Sequence, residues 1–225
     1  MNLVLENKII FKKIIFSTKF SIIKLNGAIM IKTTKMLMDE YSKYASPKNK
    51  IQRLVEKNEI FPIIKGLYTT DKHMDGCYLA SWIYGPSYLS FDYALAYHGL
   101  ILEICYAYTS ATYMKGKSKR YETSFGLYKY SDIPAEAFPY GIKFVRDEKH
   151  CFCIASKEKA LCDKLYTLMP IKNVDELKLV LLEDLRVPNY MLYELNKKDI
   201  SFLATKYHCR NINLLDELLR RDYVK

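Results

Sequence analysis

Between Ser46 and Thr70 the chain reads SPKNKIQRLVEKNEIFPIIKGLYTT, a stretch that leaves few folding options open. Ser46 suits a helix N-cap, and Pro47 falls at the first helical position, where no N–H is needed. Ile51, Leu54 and Val55 recur at i, i+3 and i+4, which predicts one apolar stripe facing a core. With about 100° between successive residues, Asn49 and Arg53 point away from that stripe, and Lys50, Gln52 and Lys57 flank it. Asn58 suits closure of the helix. The runs Ile60–Ile64 and Leu67–Thr70 are β-prone, with Lys65-Gly66 at the bend between them. A polar, cationic helix buttressed by a hairpin is the outline of a winged helix-turn-helix.

On that reading Lys48, Lys50, Lys57 and Lys65 grip phosphates. Asn49, Gln52 and Arg53 are the side-chain types that read adenine and guanine edges in the major groove. Glu56, the one acid on the outer face, lies toward the C-terminal end, away from the residues that usually meet bases. A solvated amphipathic helix beside a hairpin explains the same pattern without nucleic acid, and both readings stand at this point.

Charge is distributed in favour of the first. Of the net +10, residues 1–70 carry 12 Lys and one Arg against five acids, whereas the remainder has 22 basic and 20 acidic residues. A basic front on a nearly neutral body fits polyanion binding through counterion release. The 20 Tyr and abundant Lys, Ile and Asn also fit an AT-rich genome, which enriches lysine without any function.

Residues 1–29 form a segment of their own. Ile9-Ile10-Phe11 and Ile14-Ile15-Phe16 are apolar, but Lys8, Lys12, Lys13, Lys19 and Lys24 interrupt any run of the ~20 apolar residues that a bilayer span needs. An uninterrupted signal-peptide centre with a small-residue cleavage site is lacking too. The expectation is a leader, with translation starting at Met30 or Met36; an extra basic strand or helix is the alternative. Six Cys without a secretion signal point to a reducing cytoplasm, and hence a cytoplasmic protein with no membrane partner. His150-Cys151-x-Cys153 lacks a paired C-x-x-C or second ligand cluster, so buried thiols are expected rather than a metal site.

The expected domains are therefore 30–76, the winged helix, and 77–225, a mixed α+β body, with the boundary in the turn-like Asp71–Gly76. In the front unit Thr33 or Thr34 caps a helix running to about Tyr44, with Leu37, Met38, Tyr41 and Ala45 on its buried side. In the body, Cys77–Tyr84 is a short apolar element, and Ser90 caps a helix to His98 that Gly99 ends. Strand-like runs follow at Glu103–Tyr113, Arg120–Tyr130, Gly141–Arg146 and His150–Ala155, predicting a small antiparallel sheet. The loop between the first two carries Lys115, Lys117 and Lys119, with Arg120 beyond. It reads either as a lysine-guarded edge hairpin or as a second basic contact. Ser156 caps a helix with Leu161, Leu165 and Leu168 inward. Asn173 and Glu176 resemble a capping box, and two further amphipathic helices carry Ile200, Leu203, Ala204 and Tyr207, then Leu214, Leu215 and Leu218. The C-terminal half is thus expected to be helical.

No phosphate-cradling glycine motif, H-E-x-x-H, G-x-S-x-G or paired-acid signature is present, so neither catalysis nor a cofactor is expected. His98 at a helix end is expected to be structural. Glu158 and Asp163 lie about 140° apart round one helix and are not expected to converge.

The blocks IIKGLYTT (63–70), PSYLSFDYALAYHGL (86–100), YTSAT (108–112), FGLYKYSDIP (125–134), YGI (140–142) and IASKEKALCDKLY (154–166) resemble, in order, the AbiEi-type antitoxin family. These are transcriptional regulators of abortive-infection, type IV toxin–antitoxin operons. The likeness runs from about Lys32 to the C-terminus. It implies an N-terminal winged helix that represses its own operon by binding double-stranded operator DNA. It also implies a C-terminal antitoxin domain opposing a co-encoded nucleotidyltransferase toxin. The KGLY wing maps to Lys65–Tyr68 and the preceding helix to Pro47–Lys57. The EKAL block, Glu158–Leu161, reads as scaffold. The region before Pro47 is shorter than the two-helix lead of many relatives. A protein-interaction module that docks a partner enzyme through a winged helix no longer reading DNA is the alternative.

Overall fold

The computed structural model describes residues 31–146 and 151–223. The leader expectation for residues 1–29 lies outside them. The chain is mixed α+β, with a three-stranded antiparallel sheet and helices at the front, a six-stranded mixed sheet, and a helical C-terminal region.

The front unit runs β1 (Ile31–Thr33), α1 (Thr34–Glu40), α2 (Pro47–Glu56), β2 (Phe61–Ile64) and β3 (Leu67–Thr69). Thr33 caps α1 by accepting the backbone N–H of Met36. The helix stops at Glu40, short of the expected Tyr44, and Ala45 is exposed rather than buried. Strand β1, which the sequence reading did not anticipate, pairs with β3, giving the order β1-β3-β2. The two faces of β3 serve different cores, as strand alternation requires. Leu67 joins the large apolar cluster of the body, together with Ile31 and Ile63. Tyr68 instead packs on a small cluster of Leu37, Ile51, Leu54 and Ile60 that seats the helix pair.

The body begins with α3 (Gly76–Ile83), capped by the Asp75 carboxylate, which accepts the N–H of Cys77. Then come β4 (Ser87–Leu89), α4 (Phe91–Tyr97), β5 (Ala107–Tyr113), β6 (Lys119–Thr123), β7 (Gly126–Ile133), β8 (Ile142–Arg146) and β9 (Cys151–Ala155). The order is β6-β7-β5-β4-β9-β8. This corrects the small antiparallel sheet expected from sequence, because β5 and β7 pair in parallel, as do β4 and β9. The reason lies in the side chains. The single run Arg120–Tyr130 is folded into a hairpin, β6 with β7, at Ser124-Phe125. Buried Tyr128 and Tyr130 bring β7 beside β5, and the charged Lys119, Arg120 and Glu122 leave β6 at the edge. A further correction concerns Glu103–Tyr106, which is loop rather than strand.

Helices cover both faces of this sheet. On one, the Tyr128 and Tyr130 hydroxyls donate to the carbonyls of Gly76 and Ala80 in α3. On the other, Tyr88 reaches α5 (Lys157–Tyr166), which is capped by Ser156 as expected. Asn173 caps α6 (Val174–Leu179), and Glu176 reaches back to the N–H of Lys172. A π-helical turn (Val180–Asp184), the short α7 (Asn189–Tyr193), α8 (Lys197–Tyr207) and α9 (Arg210–Asp222) complete the chain. Ile200, Leu203, Ala204 and Tyr207 are buried on α8. On α9 Leu215 and Leu218 are buried, and Leu214 only half so. No helix among the described residues is long and apolar enough to cross a membrane.

Candidate nucleic-acid interface

Helix α2 is fixed at both ends by local chemistry. Pro47 occupies its first turn, and Ser46 holds the N-cap position in extended conformation, though its hydroxyl makes no capping bond. At the other end Asn58 takes a left-handed conformation, φ 55°. The N–H of Glu59 then reaches the Leu54 carbonyl at 2.9 Å and that of Asn58 the Val55 carbonyl at 3.0 Å. This is the two-bond closure that satisfies the last carbonyls of a helix. Ile51 and Leu54 are buried and Val55 half-buried, so the opposite side is turned to solvent.

That side carries Lys48, Asn49, Gln52, Arg53, Glu56 and Lys57, all exposed. Among the described residues, Lys48, Asn49, Arg53, Lys57 and Lys65 make no side-chain hydrogen bond or ion pair. Gln52 differs, because its Nε2 donates to Glu56 Oε1 at 3.0 Å. Lys50 differs too. It is half-buried, with Nζ 5.7 Å and 5.5 Å from the ring centroids of Tyr41 and Tyr44. Those rings meet edge to face at 5.8 Å, so Lys50 helps to hold the α1–α2 corner through cation–π attraction. Lys65 projects from the β2–β3 turn, where Gly66 at φ +89° supplies a conformation that other residues rarely adopt.

The second basic group divides in the same way. Lys115 Nζ lies 5.0 Å from the Tyr84 ring and is half-buried, whereas Lys117, Lys119 and Arg120 are exposed. The Asp132 carboxylate ties the loop down by accepting the Gly116 N–H and the Thr112 hydroxyl. The expected edge position belongs to β6, with Lys119 and Arg120 on the edge strand itself.

His98, at the end of α4, is anchored to β9. Its Nε2–H donates to the Ala155 carbonyl at 2.7 Å, and burial pulls its pKa below the usual histidine value. Sequence reasoning missed a charged cluster inside the body. Lys159 and Asp163, one turn apart on α5, are both 0 % exposed and lie 3.3 Å apart. Asp163 accepts the hydroxyls of Tyr88 at 3.0 Å, Ser90 at 2.5 Å, and Tyr207. Lys159 donates to the Ala137 carbonyl at 2.8 Å and to Tyr207. Burial lowers the Lys159 pKa and lifts those of Tyr88 and Tyr207 well above the tyrosine range. Glu158 is buried as well and accepts the N–H of Asn196 at the start of α8. The available signal was the i, i+4 spacing of Lys159 and Asp163, which puts the two on one side of α5.

The loop before β5 forms a second surface feature. Leu102, Ile104 and Tyr106 are 80 %, 77 % and 86 % exposed. Ile104 and Tyr106 line a groove of about 400 Å³ reaching Lys129, Lys164 and Asp184. No group of His, Cys, Asp and Glu among the described residues is arranged to hold a metal ion. Compared with models of known protein families the chain matches none, and it matches no curated protein.

Proposed function

We propose that this chain is a DNA-binding antitoxin and autorepressor of a type IV toxin–antitoxin operon, opposing a nucleotidyltransferase toxin. The order strand–helix–helix–strand–strand, with the sheet arranged β1-β3-β2, supports a winged helix-turn-helix in which α2 is the reading helix. The observation that carries the reading is the outward face of α2, where Asn49 and Arg53 have no side-chain partner among the described residues. Lys48, Lys57 and Lys65 surround it as phosphate contacts, and Lys50 braces the corner behind it. The antitoxin assignment for residues 77–225 rests on the sequence blocks that resemble the AbiEi-type family.

The test is a gel shift of the full chain on its own upstream DNA across a salt series. Binding should be tight at low salt and fall linearly in log K against log[salt], with preference for the operator over random duplex. Absent or salt-insensitive binding would refute it.

A second reading, an interaction protein that docks a partner enzyme, is favoured by Leu102, Ile104 and Tyr106, a cluster of large apolar side chains in water. Co-purification with a nucleotidyltransferase, combined with no duplex binding, would select this reading over the first.

A further inference from the structure

The one acid on the outer face of α2 has a specific attachment. Glu56 has Arg53 and Lys57 as neighbours along the helix, yet its carboxylate pairs with neither. It accepts a hydrogen bond from the Gln52 amide, one turn earlier, at 3.0 Å. An isolated carboxylate here opposes duplex binding, because it adds negative charge beside phosphates.

We infer that Glu56 is a positioning residue, which holds the Gln52 amide in the orientation that reads adenine. The inference rests on α2 being the recognition helix. A glutamine amide has two N–H donors and one carbonyl acceptor. Glu56 takes one N–H. The other N–H and the Oε1 acceptor remain, the pair that adenine N7 and its N6 amino group require. With its amide anchored at one N–H, Gln52 loses little further freedom on meeting a base. Exposed to water, a helical i, i+4 pair of this kind is weak. Between protein and base edges, where water is excluded, it strengthens, and a Glu56 left unpaired there would be penalised. Among the described residues Asn49 and Arg53 have no such brace, and Gln52 is the one of the three candidate readers that is oriented beforehand.

The experiment selects from a pool of random duplexes with four full-length proteins: wild type, Glu56→Ala, Glu56→Gln and Gln52→Ala. Affinity for one fixed unrelated duplex is measured in parallel, and thermal melts verify folding. Wild type should enrich adenine at one position by about tenfold. Gln52→Ala and Glu56→Ala should both lose that enrichment, and Glu56→Ala should bind the unrelated duplex more tightly than wild type. Glu56→Gln should keep the adenine, because its amide carbonyl accepts the same hydrogen bond, while also binding unrelated DNA more tightly. Retention of the adenine by Glu56→Ala overturns the inference, and so does its loss in Glu56→Gln. If wild type itself enriches no sequence, α2 is not a reading helix, and the inference falls with that reading.

Discussion

Replacing Asp163 with Asn should destabilise the protein by about 3–5 kcal/mol at neutral pH, the usual consequence of removing one partner from a buried ion pair. Asn matches Asp in size, so no cavity opens. Tyr88, Ser90 and Tyr207, which donate to the carboxylate, can in part re-orient their hydroxyls toward an amide. What the substitution removes is the charge 3.3 Å from a fully buried ammonium. The pH dependence follows from Lys159. Burial already depresses its pKa, and Asp163 is the strongest influence raising it again. Without Asp163 the pKa falls further, while in the unfolded chain it stays near ~10.4. Between those two values the unfolded state binds more protons, so the variant's stability rises with pH through the interval. The gap from wild type should therefore narrow as pH rises from the variant's Lys159 pKa to that of wild type, which burial also depresses, and hold level above it. Tyr88 and Tyr207 remain protonated donors throughout, since burial lifts their pKa well above the usual value. Urea unfolding followed by far-UV circular dichroism reads the gap directly, and a melting-temperature drop on the order of 10 °C should accompany it. A loss below ~1 kcal/mol for Asp163→Asn, or a gap that widens with pH, would refute the reasoning.

Gly141→Ala should destabilise by ~1–3 kcal/mol in a thermal melt, because Gly141 sits at φ +66° and a Cβ there would meet Lys159 Cβ at 2.8 Å. Arg53→Ala should cost ~1–3 kcal/mol on operator DNA alone and relax preference at one base pair in a competition gel shift. Lys57→Ala should instead weaken all duplexes alike and flatten the salt slope by about one unit. Leu102→Ser and Ile104→Ser should each leave stability within about 0.5 kcal/mol of wild type in urea, since both side chains already lie in water.

The front helix was legible because its signals are local. Pro47, the Ile51/Leu54 spacing and Asn58 each act within a turn or two, and α2 runs from Pro47 to Glu56 with Asn58 closing it. The same holds for the Ser156 and Asn173 caps. Strand β1 was missed because three residues carry too little pattern, and only pairing with β3 makes Ile31–Thr33 a strand. The parallel pairing of β5 with β7 depends on which strand is charged enough to sit at the edge, and the run from Arg120 to Tyr130 hides its turn in Ser124-Phe125. Ile104 and Tyr106 fall within the run Glu103–Tyr113 expected to be a strand, yet they lie exposed in the loop before β5. At the candidate interface, residue type and helical phase identified which side chains face out. Lys50 beside Tyr41 and Tyr44, and Gln52 tied to Glu56, are matters of rotamer that spacing does not specify.

Leu67 and Tyr68 point to opposite sides of one thin sheet, the first into the large core and the second toward the helix pair. Severing the chain after the wing would strand Ile31, Ile63 and Leu67 on a wet surface and strip the body of its cover. The short sheet is thus a party wall: either neighbour, taken alone, would be left with a raw side.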